Sequence, residues 1–180
     1  RPVRVVSADP AQPARAWECA TFSREGLRVV GLIRDHRLVD QPQTCSVDFG
    51  EEANVFDLRA RSFLGRTRTV EATCAPGEAK IYALLPYTIT GMSLNLGAQS
   101  SFEVALRADG PVGHHVLHLT WTAPDGTQPW HYESVVAAPG GKYVGHIPLA
   151  ANDLPGLWTL TVRDVLTNVT AQAQIPWRED

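Results

Sequence analysis

Along the second half of the chain, apolar side chains recur at every other position. The runs are Phe102/Val104/Leu106, Leu117/Leu119/Trp121, Tyr143/Gly145/Ile147/Leu149, Trp158/Leu160/Val162 and Val169/Ala171/Ala173/Ile175, each with mostly polar neighbours. A period of two puts one apolar set on one face of a strand. Between the runs stand Ala123-Pro124-Asp125-Gly126, Pro139-Gly140-Gly141, Asp153-Leu154-Pro155-Gly156 and Thr167-Asn168, where Gly and Asn accept positive φ and turn the chain. Short strands punctuated in this way predict an immunoglobulin-like sandwich. Trp158, Leu160 and Val162 are expected to be a core face meeting Trp121 from the opposite sheet, with Pro155-Gly156 and Asp164 fixing the ends of that strand.

The first half repeats the pattern less cleanly, with strands expected at Ala16–Phe22, Leu27–Ile33, Thr44–Phe49, Ala53–Leu58, Thr67–Cys74 and Ala79–Leu84. Leu27–Ile33 is apolar on both faces and suits a central strand. Residues 1 to about 14 are rich in Pro and Ala and read either as an extended lead-in or as an edge strand pairing with something upstream. No window carries the i, i+3, i+4, i+7 spacing of an amphipathic helix. The expected fold class is therefore all-β, with two β-sandwich domains in series. The boundary falls near Tyr87, giving residues 1–87 and 88–180, the second domain immunoglobulin-like.

Composition narrows the function classes. Hydrophobic residues make up 44% and charged residues 19% of the 180, which excludes a disordered chain. A net charge of -3 and the lack of any Lys/Arg run argue against nucleic acid and anionic membrane as partners. The chain opens on Arg1-Pro2 and reads as a piece of a larger protein. Cys19, Cys45 and Cys74 match no CxxC spacing, and alternation points all three inward; a Cys19–Cys45 bridge and three free thiols both stay open.

Each candidate chemistry meets a geometric objection. No G-x-S-x-G nucleophile elbow is present. His114 and His118 sit four apart in Gly113-His114-His115-Val116-Leu117-His118, a ligand spacing only on a helix; on a strand they stand about 13 Å apart. No metal or other cofactor is expected, and His115 reads as a solvated strand residue on the other face. Glu51-Glu52 reads as a hairpin tip, while Asp57 and Asp164 each end an apolar strand and read as acceptors for turn N–H groups. One constellation suits a ligand: Pro129-Trp130-His131-Tyr132, read as a strand, puts Trp130 and Tyr132 on one face about 6.6 Å apart, able to stack on sugar rings. The competing reading sends both rings into the sandwich core or the interdomain seam. Trp177, beyond the last strand, is expected against a neighbouring domain.

Two stretches carry a resemblance. Val55-Phe56-Asp57-Leu58-Arg59, turning through Phe63-Leu64-Gly65, and then Pro76-Gly77-Glu78-Ala79-Lys80-Ile81-Tyr82-Ala83-Leu84, resemble the C-terminal β-sandwich of large bacterial glycoside hydrolases of the β-galactosidase type. Pro155-Gly156-Leu157-Trp158-Thr159-Leu160-Thr161-Val162-Arg163-Asp164 is similar to the closing hairpin of immunoglobulin-like and macroglobulin-like modules. In that family the catalytic carboxylates lie in an upstream barrel. The resemblance thus implies a non-catalytic accessory module pair, extracellular or periplasmic, with the upstream catalytic domain of the same chain as its partner. A carbohydrate-binding module for polysaccharide, an adhesin or spacer, and a homo-oligomer joined through an edge strand are the other expectations.

Overall fold

The computed structural model describes residues 2–9, 11, 13–98 and 100–178. The fold is all-β and antiparallel, and the chain divides into two compact units, Arg1–Tyr87 and Thr88–Asp180.

The first unit contains β1 (Arg4–Ser7), β2 (Trp17–Arg24), β3 (Leu27–Arg34), β4 (Gln43–Asp57), β5 (Ser62–Cys74) and β6 (Ala79–Leu85). They form one sheet in the order β1-β4-β6-β3-β2, with β5 also paired to β4. Two expected strands, Thr44–Phe49 and Ala53–Leu58, are a single strand, and Glu51-Glu52 is no hairpin tip. The reason is local. Gly50 takes φ +83 and its N–H donates to the Asp48 carboxylate at 2.8 Å, so the chain makes a bulge with a register shift between Asp48 and Ala53 instead of reversing. Before the bulge β4 pairs with β1 and β5; after it, with β5 and β6.

That bend lets one sheet cover its own inner face. Val47 and Phe49 enter the same core as Val30 and Leu32 of β3 and Tyr82 and Leu84 of β6, strands to which their half of β4 makes no ladder. Phe49 meets Tyr82 edge-on at 5.6 Å, and Arg28 Nη1 donates to the Phe49 carbonyl at 2.7 Å. Each such fully buried side chain contributes about 1.5–3 kcal/mol. The lead-in segment contains an edge strand, as one of its two readings expected: Arg4–Ser7 pairs with Asp48–Cys45 of β4 on one side, and β1 is the end of the sheet on the other; residues 1, 10 and 12 lie outside the described residues.

Cys45 and Cys74 are buried and burial raises both thiol pKa values, that of Cys74 to about 11 with Glu78 adding to the rise. Cys19, expected inward, is exposed. It stands opposite buried Leu32, so its direction is as expected, but β2 is the sheet edge and no layer reaches over it.

The second unit is a two-layer sandwich of β7 (Ile89–Leu96), β8 (Ser101–Ala108), β9 (His115–Thr122), β10 (Ser134–Ala138), β11 (Lys142–His146), β12 (Gly156–Asp164) and β13 (Thr170–Trp177). One sheet runs β10-β9-β12-β13 and the other β11-β8-β7. Trp158, Leu160 and Val162 are buried as expected, but Trp121 does not face them from the opposite sheet. It lies beside Leu160 in the same sheet, because β9 is the ladder neighbour of β12. Trp121 instead meets Phe102 of β8 edge-on at 6.2 Å. Gly156, at φ +137, begins β12 where a Cβ would come within 2.8 Å of Pro124. Trp177 stays within this unit, its indole N–H donating to the Ala150 carbonyl at 3.1 Å.

Asp164 ends β12 and Asn168, at φ +66, turns the chain into β13. The buried Asp164 carboxylate accepts the Thr167 N–H at 2.9 Å and hydroxyl at 2.5 Å, and its other oxygen pairs with His115 Nδ1 at 2.9 Å. The turn role read for Asp164 is present. His115, expected in solvent, is fully buried as the partner of that carboxylate.

The bulge yields a pH test. The Arg68 guanidinium, bound to both carboxylate oxygens at 2.8 Å, and then the Gly50 N–H hold the Asp48 pKa at about 2. A depressed carboxylate pKa stabilises the fold above its unfolded value near 3.8, and that contribution is lost as pH falls through about 2. Urea melts of the native chain and Asp48→Asn should differ at pH 5 and converge toward pH 2; a gap independent of pH would mean that the charge plays no part.

Candidate functional site

Pro129-Trp130-His131-Tyr132 was expected to be a strand, and here the structure differs. Pro129, at φ -66 and with no N–H to give a ladder, starts a 3-10 turn over Trp130–Tyr132. Tyr132 N–H donates to the Pro129 carbonyl and Glu133 N–H to the Trp130 carbonyl, each at 3.1 Å. A turn of three residues cannot put the first and third side chains on one face. Trp130 is 82% exposed, while Tyr132 is half-buried and meets Trp158 edge-on at 6.0 Å. The paired platform therefore does not exist, and a single indole remains.

The turn that carries this indole is braced from below. The Tyr132 hydroxyl donates to the Asp153 carboxylate, which also accepts the Ala150 N–H at 2.6 Å. Burial, and next the Asp153 carboxylate, push the Tyr132 pKa upward, which keeps the phenol protonated and donating. The His131 ring packs 4.3 Å from that of Tyr132 and lies 6.0 Å from the Trp130 ring at 88°. Farther along β9, His118 Nε2 pairs with Glu133 at 2.5 Å, and Arg163 lies 3.4 Å from the other ring nitrogen. An exposed indole can stack on the C–H face of a sugar ring.

The four carboxylates singled out from the sequence, Glu51, Glu52, Asp57 and Asp164, are each engaged by a partner. Glu51 and Glu52 are exposed and face Arg28 at 3.4 Å and Arg66 at 3.2 Å. Asp57 accepts the Arg59 and Ala60 N–H groups at 2.9 Å, the turn role expected of it. Thr167, Asp164 and His115 form a chain of hydroxyl, carboxylate and imidazole, but the hydroxyl bonds to the carboxylate and not to the imidazole, and His115 and Asp164 are sealed from solvent. A hydrolytic triad needs the imidazole next to an accessible hydroxyl. Among the described residues no group of three His, Cys, Asp or Glu gathers as metal ligands.

Two features escaped the sequence reading. One is the pairing of His115 with Asp164, which no local spacing reveals. The other is Arg34, buried to 3% exposure at the end of β3. Parity held its signal: Val30, Leu32 and Arg34 share a face, so the apolar run ends on an inward cation.

No family model matches the chain, and no curated protein matches it. Among solved structures, the glycoside hydrolase domain of Endo-D (Spr0440) from Streptococcus pneumoniae R6 is similar at 7% identity and a TM-score of 0.29, over 89% of this chain and 33% of that one. The chain thus spans about a third of that protein's length. The fold assignment rests on the strand pairing itself.

The bracing of the turn at Tyr132 can be tested. Tyr132→Phe removes one hydrogen bond to an ionised acceptor and should lower stability by about 1.5–3 kcal/mol. It should also redden and broaden Trp130 emission little, since that ring is already in water. Denaturant titration of the two proteins measures the first effect, and an unchanged midpoint would show that the phenol bears no load.

Proposed function

We propose that this chain is a non-catalytic accessory pair of β-sandwich modules, the second immunoglobulin-like, which docks beside a catalytic domain of a larger, carbohydrate-active extracellular or periplasmic protein. The observation that carries the docking role is β2. Seven of its eight residues are exposed, although alternation on a sheet over a core ordinarily hides every second one. Phe22 is 68% exposed, and farther along the strand Cys19, Ala20, Gly31, Leu32, Ile33, Ala79 and Ile81, together with Glu18 and Lys80, line a shallow, mainly apolar hollow of about 310 Å³. An unpaired edge flanked by apolar surface is costly for an isolated domain, and proteins commonly cover such edges. A partner domain covering β2 hides the edge and the hollow together.

Hydrogen exchange tests this reading. In the 180-residue chain the β2 amides that face away from β3 should exchange fast; in the full parent protein the same amides should be protected at least about tenfold, equivalent to about 1.4 kcal/mol. Equal exchange in both proteins would sink the docking role.

Trp130 favours a second reading, a carbohydrate-binding module. An indole held at 82% exposure on a braced turn has no packing role of its own. Titration with a panel of soluble polysaccharides, followed by tryptophan fluorescence, should then show saturable quenching that Trp130→Ala abolishes. No response to any glycan would remove this reading and leave the docking role untouched.

A further inference from the structure

Among the described residues of the first unit, Arg34 is a buried cation left with an unpartnered donor. Its residue is 3% exposed, and its guanidinium, which stays protonated in proteins, has two carbonyl partners through Nη1: Gln41 at 2.5 Å and Cys74 at 3.4 Å. The guanidinium carbon lies 5.7 Å from the centre of the Trp17 ring. Its Nε is buried and has no hydrogen-bond partner. Carbonyl dipoles and an aromatic face offset only part of the several kcal/mol that burying a lone cation costs.

This side chain lines a pocket of about 360 Å³ together with Pro13, Arg15, Val39, Asp40 and Gln43. Gln43 sets the pocket's wall. Its Oε1 accepts from the Trp17 indole at 3.1 Å and from the Arg15 N–H at 3.4 Å, while its Nε2 donates to the Pro13 carbonyl at 3.2 Å. The segment bound in this way passes through Ala16, whose φ of +58 is unfavourable for a residue with a Cβ. Left-handed backbone at a non-glycine, an unpartnered buried donor and an open pocket thus occur together. Strain of this kind persists where surrounding structure enforces it, often around binding sites.

We propose that this pocket is a carboxylate-binding site, in which a small organic acid places its carboxylate against the Arg34 guanidinium. The charge balance of the lining selects the ligand. Arg34 and Arg15 supply two positive charges and Asp40 one negative, so a single negative charge neutralises the site and a phosphate dianion overcharges it. A carboxylate also takes charge-assisted hydrogen bonds from a guanidinium, and Pro13 and Val39 offer apolar wall to the acid's carbon body. The site lies wholly in the first unit and does not involve Trp130; of β2 it uses only Trp17, the one residue of that strand that is not exposed.

Nitrogen-edited NMR of the 180-residue chain tests it through two reporters, the Arg34 Nε–H and the Trp17 indole N–H. Acetate serves as the bare group, glucuronate as a sugar acid and N-acetylglycine as a mimic of a peptide C-terminus. Saturable shifts of both reporters are expected with at least one of these acids, with a dissociation constant on the order of 1 mM or below, and the tightest binder identifies the source. Glucose should move neither reporter, and inorganic phosphate should bind at least about tenfold more weakly. Arg15→Ala, an exposed change that leaves the fold intact, should weaken binding about threefold or more by the loss of one exposed charge, and Arg34→Gln should abolish it. No saturable shift, equal response to glucose, preferential binding of phosphate, or unchanged affinity in Arg15→Ala would each overturn the proposal. If Arg34→Gln fails to fold, the Arg15→Ala and phosphate comparisons still decide.

Discussion

The bulge at Gly50 is the constraint on which the first unit depends. A strand of the length of β4 would otherwise run straight and leave Val47 and Phe49 on a flat, open face. The left-handed glycine and the Asp48 carboxylate beneath it bend the strand, so its two halves serve different parts of one curled sheet. Without the bend the inner faces of β3 and β6 have no cover, and Arg34 has no interior in which to be buried.

The second unit reaches a similar enclosure by other means, with two separate sheets and a polar staple. Asp164 holds the turn between β12 and β13 from within and ties it to His115 at the start of β9. A carboxylate so placed would be costly alone, and its three donors make it a fixed point of the sandwich. The pair therefore specifies register: slipping β9 by one residue against β12 would turn His115 to solvent and leave the buried carboxylate short of a partner. The chemistry that resembles a catalytic arrangement is spent on holding a hairpin.

Most strands were legible because alternation is a local signal that survives wherever one face is buried. Leu117/Leu119/Trp121 and Trp158/Leu160/Val162 show it, and Asn168 announces its turn by tolerating positive φ. What could not be read was nonlocal. The sequence places Trp121 and Trp158 on core faces, but only strand order decides that they lie in the same sheet. Glu51-Glu52 looked like a tip because Gly, followed by two acids, marks a reversal and a bulge equally well. At Pro129-Trp130-His131-Tyr132, three residues are too few for period two to be told from a 3-10 turn, and the missing proline N–H decided in favour of the turn. Parity puts Arg34 on the core face, yet a terminal arginine on a strand ordinarily reaches water, so its burial is not legible from the sequence.

The distribution of the three thiols gives the molecule an internal clock. Cys45 and Cys74 are sealed in the first unit, and burial keeps them protonated, whereas Cys19 stands open on the edge strand. A thiol-specific reagent therefore meets one cysteine in the native chain and three in the unfolded one. The first modification attaches a label to β2 without touching the core, and the later two report the opening of the first unit alone, since every cysteine lies within it.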